Sequence, residues 1–168
     1  ARAFQVIVGA ADLLEEANAT ARLATQILFG EIVDVFGRQG DYAKVRARRD
    51  HYVGWMKLSD LSEQIVTPTH KVSALRTFAY AAPDLKAPVQ CVLSRGATLA
   101  LGATEDQYVQ CGAGWVHTRH VALLDTLEAD PVSVAETYLH TPYRWGGRDS
   151  MGLDCTGLTQ QAFEAAGV

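Results

Sequence analysis

Residues 138–168 read YLHTPYRWGGRDSMGLDCTGLTQQAFEAAGV, and the order of residue types in this stretch decides how the rest of the chain is understood. Cys155 stands at its centre. Ahead of it lie an aromatic and glycine-rich run (Tyr143, Trp145, Gly146, Gly147) and a loop from Arg148 to Gly152. Behind it Leu158, Ala162 and Ala165 recur at helical spacing, with Phe163 beside them and Gly167 where a helix stops. Asp154 is placed to cap that helix, which puts Cys155 at its first position. A thiol there meets the positive end of the helix dipole and unpaired backbone N–H groups, and both favour the nucleophilic thiolate. A cysteine met alone is most often a small buried hydrophobe. The order around Cys155 (aromatic-Gly-Gly, short loop, Asp-Cys-Thr-Gly-Leu, helix) shifts the balance towards catalysis.

That order resembles the nucleophile motif of the NlpC/P60 cysteine peptidases, whose form is close to G-T-P-Y-x-W-G-G-x-x-x-x-G-x-D-C-S-G-L. Thr141, Pro142, Tyr143, Trp145, Gly146, Gly147, Gly152, Asp154, Cys155, Gly157 and Leu158 stand in register with it. His140 replaces the first glycine and Thr156 the usual serine.

Composition narrows the alternatives. Of 168 residues, 48% are hydrophobic and 20% charged, as in a soluble globular protein. The net charge of −4 and a single basic cluster, Arg46–Arg49 followed at once by Asp50, argue against a nucleic-acid partner. No apolar run is long enough to span a membrane. The N-terminal ARAFQVIVGA lacks the basic-then-apolar layout of a signal peptide, so a cytoplasmic site is expected, with the periplasm as the alternative if a leader is removed. Three cysteines do not suggest a disulfide framework, and Cys91 and Cys111 are expected to be reduced core residues. The Cys and His residues lack paired metal-ligand spacing, so no metal or other cofactor is expected.

From residue 4 to about residue 127 the chain reads as short strands: Phe4-Val6-Val8, Ile32-Val33-Val35, Ala43-Val45 and Val53-Trp55, separated by turns containing Gly30, Gly37 and Gly40. Asp12–Ala24 is taken as a loop between strands because Asn18–Thr20 interrupts its helical composition. A repeat is visible: Gly30 aligns with Gly96, Val35 with Leu101, Tyr42 with Tyr108, and Gly54-Trp55 with Gly114-Trp115. The first copy carries six extra residues within Arg46–Val53. Trp55 and Trp115 are expected in the core or at a barrel mouth. Thr67-Pro68-Thr69 reads as a junction, Pro83–Pro88 as a loop in the second copy, and Asp130-Pro131 as the start of a helix with Val132, Ala135, Glu136 and Leu139 on one stripe. Each copy has the size of a small β-barrel, and the pattern is similar to bacterial SH3 (SH3b) domains. The expected architecture is mainly β: SH3b domains over 1–66 and 67–127, followed by the N-terminal helical part of a papain-like α+β NlpC/P60 domain over 128–168.

Two SH3b domains ahead of an NlpC/P60 motif resemble the dipeptidyl-peptidase VI-like γ-D-glutamyl-L-amino-acid endopeptidases. The resemblance implies hydrolysis of the γ-D-Glu–diamino acid bond in murein peptides that carry a free N-terminal L-Ala. It implies Cys155 as nucleophile, with Tyr143 beside it holding the substrate or the oxyanion. Asp154 would face the substrate ammonium, a charge a carboxylate suits, and Thr156 the same end of the peptide. The first SH3b domain would close one end of the cleft, with Tyr52 reaching the ammonium and Glu31, Glu15 or Glu16 as acidic partners. A cysteine peptidase also needs a base. None of His51, His70, His117, His120 and His140 matches the family's catalytic histidine, which is expected beyond these residues. On that expectation the 168 residues alone are inactive, and the apolar stripe of the last helix lacks a partner. The alternative is a remnant that binds wall peptides through its SH3b domains.

Overall fold

In the computed structural model, which describes residues 1–168, the first third of the chain forms one antiparallel sheet of seven strands: β1 (Arg2–Val6), β2 (Ala10–Leu14), β3 (Leu23–Leu28), β4 (Ile32–Gln39), β5 (Tyr42–Ala47), β6 (Val53–Lys57) and β7 (Leu61–Ser62). Their order is β3-β2-β6-β5-β4-β1-β7. Alternation decides which face turns inward. Val33 and Val35 of β4 face Ala47 and Val45 of β5 across the ladder, and all four are buried. Phe36 is the extra residue of a bulge between Val35 and Gly37, and it lies on the surface. Twelve buried residues form this core, Leu13, Ile27, Val45 and Met56 among them. Val53–Trp55 is a strand and Leu58 opens a 3-10 turn (Leu58–Asp60). The loop expected over Asp12–Ala24 is confined to residues 15–22, because Asp12–Leu14 belongs to β2 and Leu23–Ala24 to β3, which pair with each other.

The second third contributes β8 (His70–Val72), β9 (Arg76–Tyr80), β10 (Val89–Ser94), β11 (Thr98–Leu99), β12 (Thr104–Glu105), β13 (Tyr108–Cys111), β14 (Gly114–His117) and β15 (Val121–Leu123). They form a five-stranded sheet ordered β10-β9-β14-β13-β12 and a three-stranded sheet ordered β11-β8-β15. The repeat seen in the sequence has matching backbone in both copies. Gly30 and Gly96 adopt left-handed φ of 83° and 91°. Each Gly-Trp strand runs into a 3-10 turn, Leu58–Asp60 or Thr118–His120, entered at φ −64° or −69° and left at φ −120° or −125°. The six extra residues of the first copy lengthen the β5–β6 hairpin, whose counterpart between β13 and β14 is the tight Gly112-Ala113 turn.

The two units are not separate bodies. Leu28 and Phe29, at the end of β3, are buried in the ten-residue core of the second unit, beside Val72, Leu93 and Leu99. A side chain at Gly30 would come within 2.1 Å of the carbonyl oxygen of Thr98, so the following turn requires glycine twice over, for its φ and for this approach.

The last third is α1 (Pro131–Glu136), the short hairpin of β16 (Arg148–Asp149) and β17 (Gly152–Leu153), and α2 (Cys155–Ala165). Asp130 caps α1 by accepting from the N–H groups of Val132 and Ser133. The expected stripe Val132-Ala135-Glu136-Leu139 is not the inward one. Helix α1 ends at Glu136, Val132 and Leu139 are exposed, and Val134 and Tyr138 turn inward instead, where they meet Leu153 and Ala162. The expectation that α2 lacks a partner also fails. Ala162 is buried with Val134, Tyr138 and Leu153, and Leu158 and Ala165 pack against this cluster, as do Ala135 of α1 and Leu75 of the second unit. No helix is long and apolar enough to cross a membrane.

Candidate active site

The segment that presents Cys155 is built from close backbone approaches. Gly146, at φ 72°, lets the chain turn, and its N–H donates to Asp154 Oδ2 at 2.9 Å. A Cβ on Gly157 would lie 2.2 Å from the carbonyl oxygen of Gly147, so the first turn of α2 can sit on the Gly-Gly run only with glycine there. β16 and β17 pair Arg148 with Leu153 and Asp149 with Gly152, and the chain then passes directly into Asp154 and Cys155.

Asp154 has extended backbone and caps α2, as its position in the motif indicates. Its Oδ1 accepts from the N–H of Gly157 at 2.7 Å and from Thr156 Oγ1 at 2.9 Å. Both carboxylate oxygens are thus engaged, one on each side of the turn: Oδ1 accepts twice, and Oδ2 accepts once and keeps a further lone pair. Cys155 follows as the first helical residue, with its thiol exposed. Thr156 is exposed and its hydroxyl is directed at the cap. Tyr143 forms a bridge to Leu153, two residues before Cys155, and is 65% exposed, so it is a surface aromatic and not a core one. Cys155, Asp154, Thr156 and Tyr143 therefore share one end of α2.

The residues taken from the first unit divide. Tyr52 lies half-exposed in the lengthened β5–β6 turn. Arg49 in the same turn donates to Gln160 and Glu164 of α2, so this arm touches the helix further along than Cys155. Glu31 is not available as an open acidic partner. Its side chain is 12% exposed, and its carboxylate accepts from the N–H of Leu28 at 2.7 Å and is gripped by both terminal nitrogens of Arg148. The reason is electrostatic: Arg148 is buried and needs a counter-charge. Glu15 and Glu16 are exposed in the β2–β3 loop.

Arg148 was not singled out by the sequence, since nothing in RWGGRDS distinguishes a buried arginine from a surface one. Burial is the strongest single influence on it and disfavours its charge. The carboxylate of Glu31, with Glu164 and Asp50 further off, outweighs that and holds the guanidinium above the ordinary arginine value. Two residues on, Ser150 is tied to the second unit: its N–H donates to Ser94 Oγ at 3.0 Å, the two hydroxyls are 2.8 Å apart, and Arg76 donates to its carbonyl oxygen. The histidines are engaged elsewhere. His70 pairs with Thr69, His120 with Thr77 and His117 with Gln107, while His51 and His140 occupy left-handed turn positions. Cys91 and Cys111 are free thiols, and burial pushes both above the ordinary thiol value.

Residues 140–168 match the NlpC/P60 family, and residues 13–61 match the bacterial dipeptidyl-peptidase Sh3 domain. Among named relatives, the dipeptidyl-peptidase 6 of Lysinibacillus sphaericus is 27% identical over 97% of this chain and 69% of its own length. The gamma-D-glutamyl-L-lysine dipeptidyl-peptidase of Bacillus subtilis (strain 168) is 29% identical over 86% of this chain and 54% of its own length. The chain thus spans about half of the second relative. A crystal structure of an NlpC/P60 family protein from Bacillus cereus ATCC 10987 shares the fold, with a TM-score of 0.80 over 99% of this chain and 73% of that one at 21% identity.

Proposed function

We propose that this chain is part of a cysteine peptidase that hydrolyses the γ-D-Glu–diamino acid bond of murein peptides bearing a free N-terminal L-Ala. The observation that carries the reading is the placement of Cys155: an exposed thiol at the first position of α2, directly after a carboxylate cap that spans Gly146 and Gly157. The match of residues 140–168 to NlpC/P60 and the names of the two relatives support it. Domains at 1–66, 67–127 and 128–168 fit this reading. The second unit is taken as another SH3b domain because its glycines, Gly-Trp strand and 3-10 turn repeat those of the first.

In the proposed mechanism the Cys155 thiolate attacks the amide carbonyl and forms a thioester as the C–N bond breaks. A histidine outside these residues takes the thiol proton and delivers it to the leaving amine. Water then hydrolyses the thioester and regenerates the thiol. Donors at the start of α2 lie beside the position where the oxyanion forms. Asp154 keeps one lone pair on Oδ2 for the substrate ammonium, with Tyr143 and Thr156 at the same end. Tyr52 is half-exposed and is the first-unit residue taken to line the cleft; Glu31 has no such freedom.

The test is a pair of peptides offered to the protein expressed from its complete gene: L-Ala-γ-D-Glu-diaminopimelate and the same peptide acetylated on its amine, with products followed by mass spectrometry. The reading expects L-Ala-D-Glu from the free peptide and far slower release from the acetylated one. Equal cleavage of both removes the ammonium role, and cleavage of neither removes the substrate assignment.

A further inference from the structure

Arg148 is the one charged residue of the buried interior, 1% exposed. A buried ion pair of this kind seldom adds stability over an apolar pair of equal volume. What it supplies is direction, because a guanidinium presents its donors in a fixed fork. Every arm of that fork is used. Nη1 donates to the carbonyl oxygen of Gln26 and to Glu31, Nη2 donates to Glu31, and Nε donates to Gln161 Oε1 at 3.1 Å. The backbone N–H of Arg148 is taken by Gln26 Oε1 at 2.9 Å. Gln26 and Glu31 belong to the first unit. Gln161 lies on α2, six residues after Cys155, and its own Nε2 donates to the carbonyl oxygen of Arg95 in the second unit at 2.7 Å. The residue bearing this fork is paired across β16–β17 with Leu153, two residues before Cys155. One side chain therefore holds both the strand that enters Cys155 and the helix that leaves it, and seats them on the first unit.

We propose that Arg148 is a positioning residue for Cys155, with Glu31 and Gln26 as its seat, so that the first unit sets the place and reactivity of the thiol it does not touch. The proposal rests on the reading of Cys155 as the nucleophile. Its consequence is that the first unit does more than wall the cleft: detaching it from Arg148 slows the reaction at Cys155 even with every group around the thiol unchanged.

Alkylation by iodoacetamide, followed cysteine by cysteine with peptide mass spectrometry, tests this without a substrate. Cys111 is buried and Cys91 is half-buried, so they report opening of the fold, while Cys155 reports its own surroundings. Arg148→Met is expected to slow alkylation of Cys155 about tenfold while Cys91 and Cys111, which report loss of stability, do not slow, and Arg148→Lys is expected to recover part of the loss. Glu31→Gln, which keeps a hydrogen-bonding partner for the guanidinium, is expected to fall between wild type and Arg148→Met. It decides the matter alone if Arg148→Met does not fold. A rise at all three cysteines together in Glu31→Gln would mean a merely structural role and overturns the proposal. An unchanged Cys155 rate in Glu31→Gln and in every folded Arg148 variant overturns it as well. If wild-type Cys155 reacts no faster than it does in denaturant, the nucleophile reading itself is what fails.

Discussion

The two β-units carry the same local plan, yet they grip the Cys155 segment in different ways. The first holds it by charge: Glu31 on Arg148, and Arg49 of the lengthened hairpin on Glu164. The second holds it mostly with neutral groups, Ser94 on Ser150, and with donors to carbonyl oxygens, such as Arg76 to Ser150, its one ion pair being the exposed Arg95–Glu128 contact. The difference teaches where a repeat diverges. The shared glycines and 3-10 turns preserve the plan, while the six residues added between β5 and β6 convert a turn into an arm that reaches α2. A buried charge is expensive to strand, whereas a lost hydroxyl pair costs little, so removing the two grips should have unequal effects.

The largest effect is expected where the units cannot be told apart. Phe29 precedes the Gly30 turn of the first unit but fills the core of the second, so Phe29→Ala should cost about 3–5 kcal/mol in denaturant unfolding. The fluorescence of Trp55 and Trp115, read in single-tryptophan variants, should shift together. Two separate transitions would show that the units are independent and would break the comparison at its root. Next comes the charged grip: Arg148→Met takes the guanidinium from the part-buried Glu31 carboxylate, leaving it the Leu28 N–H and Arg49 at 3.8 Å, and should cost about 3 kcal/mol. Ser94→Ala, the neutral counterpart, should cost about 1–2 kcal/mol, and equal losses would erase the distinction between the grips. The smallest is the cap. Asp154→Ala should cost about 1 kcal/mol through loss of the N–H contacts to Gly157 and Gly146. Its effect on a free-amine peptide should greatly exceed that on stability, and a parallel fall of the two would reduce Asp154 to a cap.

Much of this architecture was legible because it rests on local rules. Alternation gave β1, β4, β5 and β6 but not β2 and β3, whose ends fell inside the stretch taken as loop around Asn18–Thr20, and the Asp-Cys-Thr-Gly order gave the start of α2 to the residue. The inward face of α1 was misread because a helix of six residues is too short for its stripe to dominate, and the choice fell to what α2 presents to it, Leu153 and Ala162. Glu31 as an acidic partner of the substrate and Arg148 as its buried counter-ion share one reason for being illegible. Ion pairs between residues 117 positions apart leave no periodic trace, and only the assembled fold shows that Arg148 is buried and that it claims the part-buried Glu31. The same applies to Phe29, whose neighbours in sequence lie in one unit and whose neighbours in space lie in the other.

The central claim is that Cys155 performs the chemistry from an exposed place at the start of α2. The direct measurement compares hydrolysis of L-Ala-γ-D-Glu-diaminopimelate by wild-type protein and by Cys155→Ala, with thermal unfolding followed on both. The account predicts no detectable cleavage by the variant and an unfolding temperature close to that of wild type, because the exposed thiol packs against little. A Cys155→Ala protein that still cuts the peptide at the wild-type rate would contradict it.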